Sequence, residues 1–270
     1  MHSFKLVLFI QYDGTDFYGF QRQPDVSTIQ GELEKALSHL TDQKFNLAGS
    51  GRTDRGVHAR EQVISIKTEK KIDIPLEKIP SVLNGRLPRG ILVTKAKRAS
   101  HQFHARFYAR SRRYSYQIIT HPDVFASRYA TSIRYKIDKD ILFKSADIFL
   151  GEHDFTTFSK YNKDTETYVC NVKDSYWEEI SESHYIYNVK ANRFVYSMVR
   201  SLVGAMLDAA RGYRTIDELV EAFKNKERDF YINMAPPQGL CLEEITYPEE
   251  YDYFQKPNEE YFEDDEVEEG

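Results

Sequence analysis

The 270-residue chain is 41% hydrophobic and 14% aromatic, which describes a globular protein with core enough for one large domain or two fused lobes. It has no apolar run of about 18 residues or more, so no membrane-spanning helix is expected. The net charge of −5 joins two unlike parts: residues 249–270 carry eleven acids and one lysine, a net −10, which leaves +5 for residues 1–248. The mildly basic body admits a nucleic-acid partner, and the acidic tail is expected to stay unpacked.

Met1 to Ile10 is apolar but short and runs into Gln11-Tyr12-Asp13-Gly14 without a cleavage-site pattern, so it reads as a buried strand and not a signal peptide. The two cysteines, Cys170 and Cys241, are far apart, which argues against a disulfide framework or a zinc site and suits a reducing cytoplasm. Lys5 to Tyr12 is predicted as a strand ending at the Asp13-Gly14 turn. Ser27-x-x-Gln30 fits a capping box, and Ile29, Leu33, Leu37 and Leu40 follow at helical spacing. A glycine-rich loop precedes a strand over Gln62 to Lys67. A short helix over Leu76 to Leu83 and a strand over Ile91 to Lys95 come next.

From Arg98 to Arg113 stand five arginines, two histidines and no acid, interleaved with Phe103, Phe107 and Tyr108. Guanidinium groups that meet phosphates and rings that stack on bases suit an RNA face; an interdomain segment with arginines lying along its surface is the competing reading. Tyr114 to Ile119 is predicted as a strand and Asp138 to Leu150 as a helix. Thr165 to Ile180 and His184 to Lys190 alternate as antiparallel strands. Phe194 to Ala210 is a strongly apolar helix with Val195, Val199, Leu202, Met206 and Ala209 on one stripe. Thr215-x-x-Glu218 opens another helix, and Leu240 to Tyr247 closes as a strand. The element order suggests an α+β protein of two lobes, 1–103 and 104–248, with the tail 249–270 apart.

Two positions carry chemistry. The loop Gly51-Arg52-Thr53-Asp54-Arg55-Gly56-Val57-His58 holds one carboxylate between two arginines, suiting an anionic substrate that reacts at a carboxylate; taken alone, a polar turn explains it better. Arg200 is the only charged side chain between Phe194 and Leu207, so a largely buried helix needs a partner for it. That partner is Asp54, another acid or a carbonyl cluster; spacing does not choose. Tyr114, at a strand start beside Arg112-Arg113, is by itself an ordinary half-buried sheet residue. His58 and His153 read as structural.

The run Gly51 to His58 resembles the signature G-R-T-D-x-G-V-H of the tRNA pseudouridine synthase A (TruA) family, and the resemblance extends over roughly residues 4–247. Phe194, Met198, Val199, Arg200, Val203 and Gly204 match F-x-x-x-M-V-R-x-x-V-G, with Tyr196 and Ser197 where the family often has histidines. Arg112, Arg113, Tyr114 and Tyr116 match R-R-Y-x-Y. Gly151 to Phe158 is similar to G-x-H-D-F, and Ala235 to Leu240 to A-P-x-x-G-L. The resemblance implies the pseudouridine synthase fold, with two α+β lobes around a central, mainly antiparallel sheet and a catalytic cleft. It implies a cofactor-free and metal-free isomerase that converts uridine to pseudouridine at tRNA positions 38, 39 and 40. Asp54 would be the catalytic carboxylate, Arg200 its partner and Tyr114 the surface against the target base. Arg52 would fill the space of the flipped nucleotide and Leu240 would line the pocket. Arg55, where the family often has a small residue or lysine, adds a cation suited to a phosphate, as do Arg112 and Arg113. A homodimer binding tRNA across both subunits, in the cytoplasm, is also implied. Against this stand a non-catalytic RNA-binding or RNA-folding protein on the same scaffold and, more remotely, a glycosidase, which needs two carboxylates where this loop has one.

Overall fold

A computed structural model describes residues 5–40, 45–67, 72 and 74–248; the acidic tail 249–270 lies outside the described residues. The apolar run from Leu6 to Ile10 makes Lys5–Tyr12 a strand (β1), with Leu6, Leu8, Ile10 and Tyr12 buried on one face and Val7 buried on the other. Helix α1 (Ile29–Ser38) lays Ile29, Leu33 and Leu37 into the core. Its N-cap is Thr28, whose hydroxyl accepts from the Gly31 N–H at 3.2 Å, one residue later than the Ser27 box predicts. Ser27 donates instead to Glu32 at 3.0 Å. Strands β2 (Asn46–Gly49) and β3 (His58–Lys67) follow, then α2 (Ile79–Asn84) and β4 (Ile91–Ala99).

The second half of the chain runs β5 (Ser111–Ile119), β6 (Thr131–Ser132), α3 (Lys139–Ser145), β7 (Gly151–Asp154), β8 (Val169–Ser181), β9 (His184–Ala191), α4 (Met198–Ala210), α5 (Ile216–Asn225) and β10 (Leu240–Thr246). The helix expected over Asp138 to Leu150 tightens into a 3-10 turn at Ala146–Phe149. The expected strand start at Thr165 is a turn, Thr165 N–H bonding to the Asn162 carbonyl at 3.0 Å. The Thr215–Glu218 capping box forms as predicted, each side chain bonding the other's backbone.

Among the described residues ten strands make one sheet in the order β4-β1-β3-β10-β5-β9-β8-β7, with β2 added to β3 and β6 to β5. The sheet is antiparallel except where β10 meets β3 and β6 meets β5. Strand β10 joins the two halves. It pairs with β3 through Cys241 opposite His58 and Leu242 opposite Ala59, and with β5 through Leu240 opposite Tyr116 and Leu242 opposite Tyr114.

Helix α4 covers the β5-β9-β8 face, where Tyr116, Tyr187, Val189 and Trp177 are buried; the Trp177 indole donates to Met206 Sδ at 3.2 Å. Every residue of α4 except Arg200 is buried. Burying each of Leu202, Val203 and Met206 stabilises the fold by about 1.5–3 kcal/mol, so the position of this helix on the sheet is strongly determined. The expected helix over 194–210 begins only at Met198, because Ser197 takes the left-handed conformation (φ 58°, ψ 12°) and turns the chain into the helix. Phe194 is thereby left outside it, its ring edge-on to Tyr114 at 5.1 Å.

Candidate active site

Residues 50–57 span from β2 to β3, and these strands pair with each other from Asn46 opposite Lys67 to Gly49 opposite Ile64. Both ends of the loop are therefore fixed by the sheet. Within it, the Ser50 N–H bonds to Val63 O at 2.8 Å, Gln62 Nε2 donates to Gly51 O at 3.0 Å, and the Ser50 hydroxyl bonds to the Gln62 amide oxygen. From the other side Tyr12 OH meets Thr53 Oγ1 at 2.8 Å and the Phe20 N–H donates to Thr53 O at 3.1 Å. Gly56 turns the chain at φ +78°, a conformation costly for a residue with a Cβ. Gly14 lies so close beneath the loop that a Cβ there would fall 2.0 Å from Val57 O.

This bracing presents Asp54 to the start of α4. Arg200 Nη1 donates to Asp54 Oδ2 at 3.0 Å, and Ser197 Oγ donates to the same oxygen at 3.2 Å. Arg200 Nε is spent on the Ala235 carbonyl at 2.8 Å, which orients the guanidinium plane. Of the three partners left open by spacing, Arg200 thus takes two: Asp54 and a main-chain carbonyl. Among the described residues no hydrogen-bond donor reaches Asp54 Oδ1, so one carboxylate oxygen is held and the other is available. The Asp54 side chain is 28% exposed and that of Arg200 14%, so water reaches the pair. A pair at this depth contributes little net stability, and its consequence is orientation.

Tyr114 sits beside this pair, 8% exposed, its hydroxyl 4.0 Å from where a Cβ on Gly51 would stand. Burial pushes its phenol pKa up to about 12, and the Asp54 charge adds to this while Arg112 opposes it. At neutral pH the ring is a flat surface with a protonated hydroxyl. Leu240, 6% exposed, lies on the same sheet face, opposite Tyr116. Tyr116 OH bonds to Pro236 O and Thr131 Oγ1, each at 2.7 Å, and so anchors the 235–240 loop.

The four arginines predicted to meet substrate separate into two kinds. Arg52 and Arg55 are exposed on the Asp54 loop, with the Arg55 guanidinium 4.0 Å over the Tyr18 ring. Arg113 faces Glu244 at 3.5 Å. Arg112 donates to four main-chain carbonyls: Ser50 at 2.9 Å, Arg106 at 2.8 Å, Asn192 at 2.8 Å and Ala109 at 3.2 Å. Its guanidinium is therefore a brace between the Asp54 loop and β5.

His58 Nδ1 accepts the Gly14 N–H at 3.1 Å and Nε2 lies 3.2 Å from Gln238 O. Burial holds this imidazole below its usual pKa, opposed by the Asp13 carboxylate, whose Oδ1 lies 3.1 Å from Nδ1, and by the Gln238 carbonyl. His153 Nε2 meets Leu150 O at 2.7 Å on β7. Sequence reasoning gave the Ser197 hydroxyl and the Ala235 carbonyl no role, although both residues stand within motifs that it quoted. A serine directly before an apolar helical run is a helix-start signal and would have marked the first; nothing in the sequence marks a carbonyl.

One carboxylate braced by a helix-borne arginine, with a buried tyrosine alongside and arginines at the rim, has the chemistry to suit a base or sugar attached to a phosphate backbone. Residues 8–108 and 146–248 match a family model described as tRNA pseudouridine synthase. A tRNA pseudouridine synthase A of Brevibacillus brevis is 40% identical over 240 residues, covering 88% of this chain and 97% of that protein. One from Dictyoglomus turgidum is 38% identical over the same length, again covering 88% and 97%. Among solved structures, an H/ACA RNP bound to a substrate RNA containing 2'-deoxyuridine matches with a TM-score of 0.37 at 11% identity, covering 87% of this chain and 59% of that one. The chain belongs to the tRNA pseudouridine synthase family.

Proposed function

We propose that the protein isomerises uridine to pseudouridine in tRNA and that Asp54 is the reacting carboxylate. The observation that carries this reading is the division of labour within the carboxylate: Arg200 and Ser197 both hold Oδ2, leaving Oδ1 for the substrate. In the reaction the N1–C1′ bond breaks, the base turns, a C5–C1′ bond forms, the C5 proton leaves and N1 gains one. Product and substrate are isomers, so the chemistry needs no redox cofactor. One carboxylate suffices, either by covalent attack on the sugar or base or by removing a proton from the sugar.

The base must leave its stack to reach the carboxylate. Tyr114 offers it a flat neutral surface, Leu240 an apolar wall, and Arg52 a cation for the vacated stack. Arg55 and Arg113 are free enough to meet phosphates, whereas Arg112 serves the substrate indirectly, by holding the loop. The lobe 1–103 supplies Asp54 and the lobe 104–248 supplies both Arg200 and Tyr114, so the cleft lies where they meet. Targets at tRNA positions 38, 39 and 40, a homodimer and a cytoplasmic location complete the reading; among the described residues no helix is long and apolar enough to cross a membrane. The test is Asp54→Ala and Asp54→Asn assayed on unmodified tRNA. Both are expected to abolish pseudouridine formation with tRNA affinity nearly unchanged, and turnover by either variant removes Asp54 from the role.

A further inference from the structure

The segment 230–235 runs along α4 from its C-terminal end back to Arg200. It lies against the helix at Gly204, where a Cβ would fall 2.2 Å from Asn233 O. At its near end the Ala235 N–H donates to the Arg200 carbonyl at 3.0 Å while the Ala235 carbonyl accepts from Arg200 Nε at 2.8 Å. One residue of this strap therefore holds both the main chain and the side chain of Arg200.

The strap is itself fixed two turns further along the helix. Asp208 is 2% exposed, and its carboxylate accepts the Asn233 N–H at 3.2 Å and the Asn233 Nδ2 at 3.0 and 3.1 Å on its two oxygens. Arg211 Nη2 completes the shell at 2.6 Å. Tyr231 OH in turn donates to Asn233 Oδ1 at 3.0 Å. A buried carboxylate so fully bonded is costly to disturb, which makes this the firm end of the strap.

We infer that Asp208 and Asn233 form a clamp that sets the register of the 230–235 strap on α4 and thereby aims the Arg200 guanidinium at Asp54. They are positioning residues, since neither touches the carboxylate. The inference rests on the proposed role of the Asp54–Arg200 pair and names what holds that pair in line. Loss of the clamp lets the Ala235 carbonyl drift, and Arg200 then loses the bond that orients its plane.

The test is a double-mutant cycle on the full-length protein, read as the single-turnover rate of pseudouridine formation on unmodified tRNA and as tRNA affinity. Asn233→Ala removes the side-chain half of the clamp and leaves Asp208 paired with Arg211, so the fold is retained. It is expected to slow the rate by about tenfold to a hundredfold with affinity within about twofold, as misplacing a catalytic group does. Asn233→Asp, which sets a second carboxylate against Asp208, should slow it further. Thr215→Ala, a cap loss on α5, controls for general destabilisation and should leave the rate unchanged. In an Arg200→Lys background, where the orienting bond to Ala235 is already gone, Asn233→Ala should cost nothing more. An equal loss in both backgrounds, or an Asn233→Ala protein as fast as wild type, overturns the clamp. An Arg200→Lys protein with the wild-type rate removes the reading of the site itself, and the clamp with it.

Discussion

Ser197 offers a substitution pair that separates stability from activity: the two variants should differ in stability and lose activity alike. It is a non-glycine residue at φ 58°, makes no side-chain cap to its helix, and points its hydroxyl at Asp54. Holding an L-residue in the left-handed region costs about 1–2 kcal/mol, of which glycine's greater chain entropy cancels about 0.5–1 kcal/mol. Ser197→Gly should therefore be more stable than Ser197→Ala by about 0.5–1 kcal/mol, or about 1–4 °C in thermal midpoint for a chain of this size. Both variants lose the bond to Asp54 Oδ2, and a hydrogen bond to a charged group contributes about 1.5–3 kcal/mol, or roughly tenfold to a hundredfold in rate. The assay pairs thermal unfolding by circular dichroism with single-turnover pseudouridine formation. An alanine variant as stable as the glycine variant refutes the strained backbone. Wild-type rates in both refute the role of the hydroxyl.

Alkaline pH tests the buried tyrosines. Burial raises the phenol pKa of Tyr12, Tyr114, Tyr116, Tyr187 and Tyr247, Tyr114 to about 12. The unfolded chain releases these protons near pH 10 and the folded chain retains them, so stability is full below about pH 10 and falls as pH rises toward 12, by about 2–3 kcal/mol for Tyr114 alone. Tyrosinate absorbance at high pH should therefore rise together with loss of the circular dichroism signal, and full ionisation before unfolding would contradict the burial. Arg112→Met should destabilise the protein by about 3 kcal/mol through four abandoned carbonyls, whereas Arg113→Met should stay within about 0.5 kcal/mol of wild type. Chemical denaturation decides between these outcomes, and equal midpoints for the two would show that Arg112 is not a brace.

Much of this architecture could be read from local patterns where local physics decides it. The apolar run of Lys5 to Tyr12 and the Thr215–Glu218 box appear in the fold with the limits they were expected to have. Three short strands escaped. Gly151–Asp154 is Gly-Glu-His-Asp, with no strand-forming residue, and exists because β8 offers it a partner from Val169 to Val172. Asn46–Gly49 and Thr131–Ser132 are likewise made by their neighbours. The late start of α4 turns on a single backbone rotation at Ser197 that a count of apolar residues does not register. At the site, the lone charge of Arg200 in an apolar helix announced that it needed a partner. Which partner lies 146 positions away in sequence follows from sheet order, and so does the Ala235 carbonyl.

The order of the sheet also bears on how the protein is made. Strand β10 is the last of the described strands to leave the ribosome, yet it fills the middle of the sheet between β3 and β5. Until Leu240–Thr246 emerges, each half carries an open edge, and Asp54 has no framework that brings it to Tyr114 and Arg200. Synthesis therefore brings Asp54, Tyr114 and Arg200 together in one late event, and a nascent chain halted before that strand would expose two sticky borders and lack the proposed site.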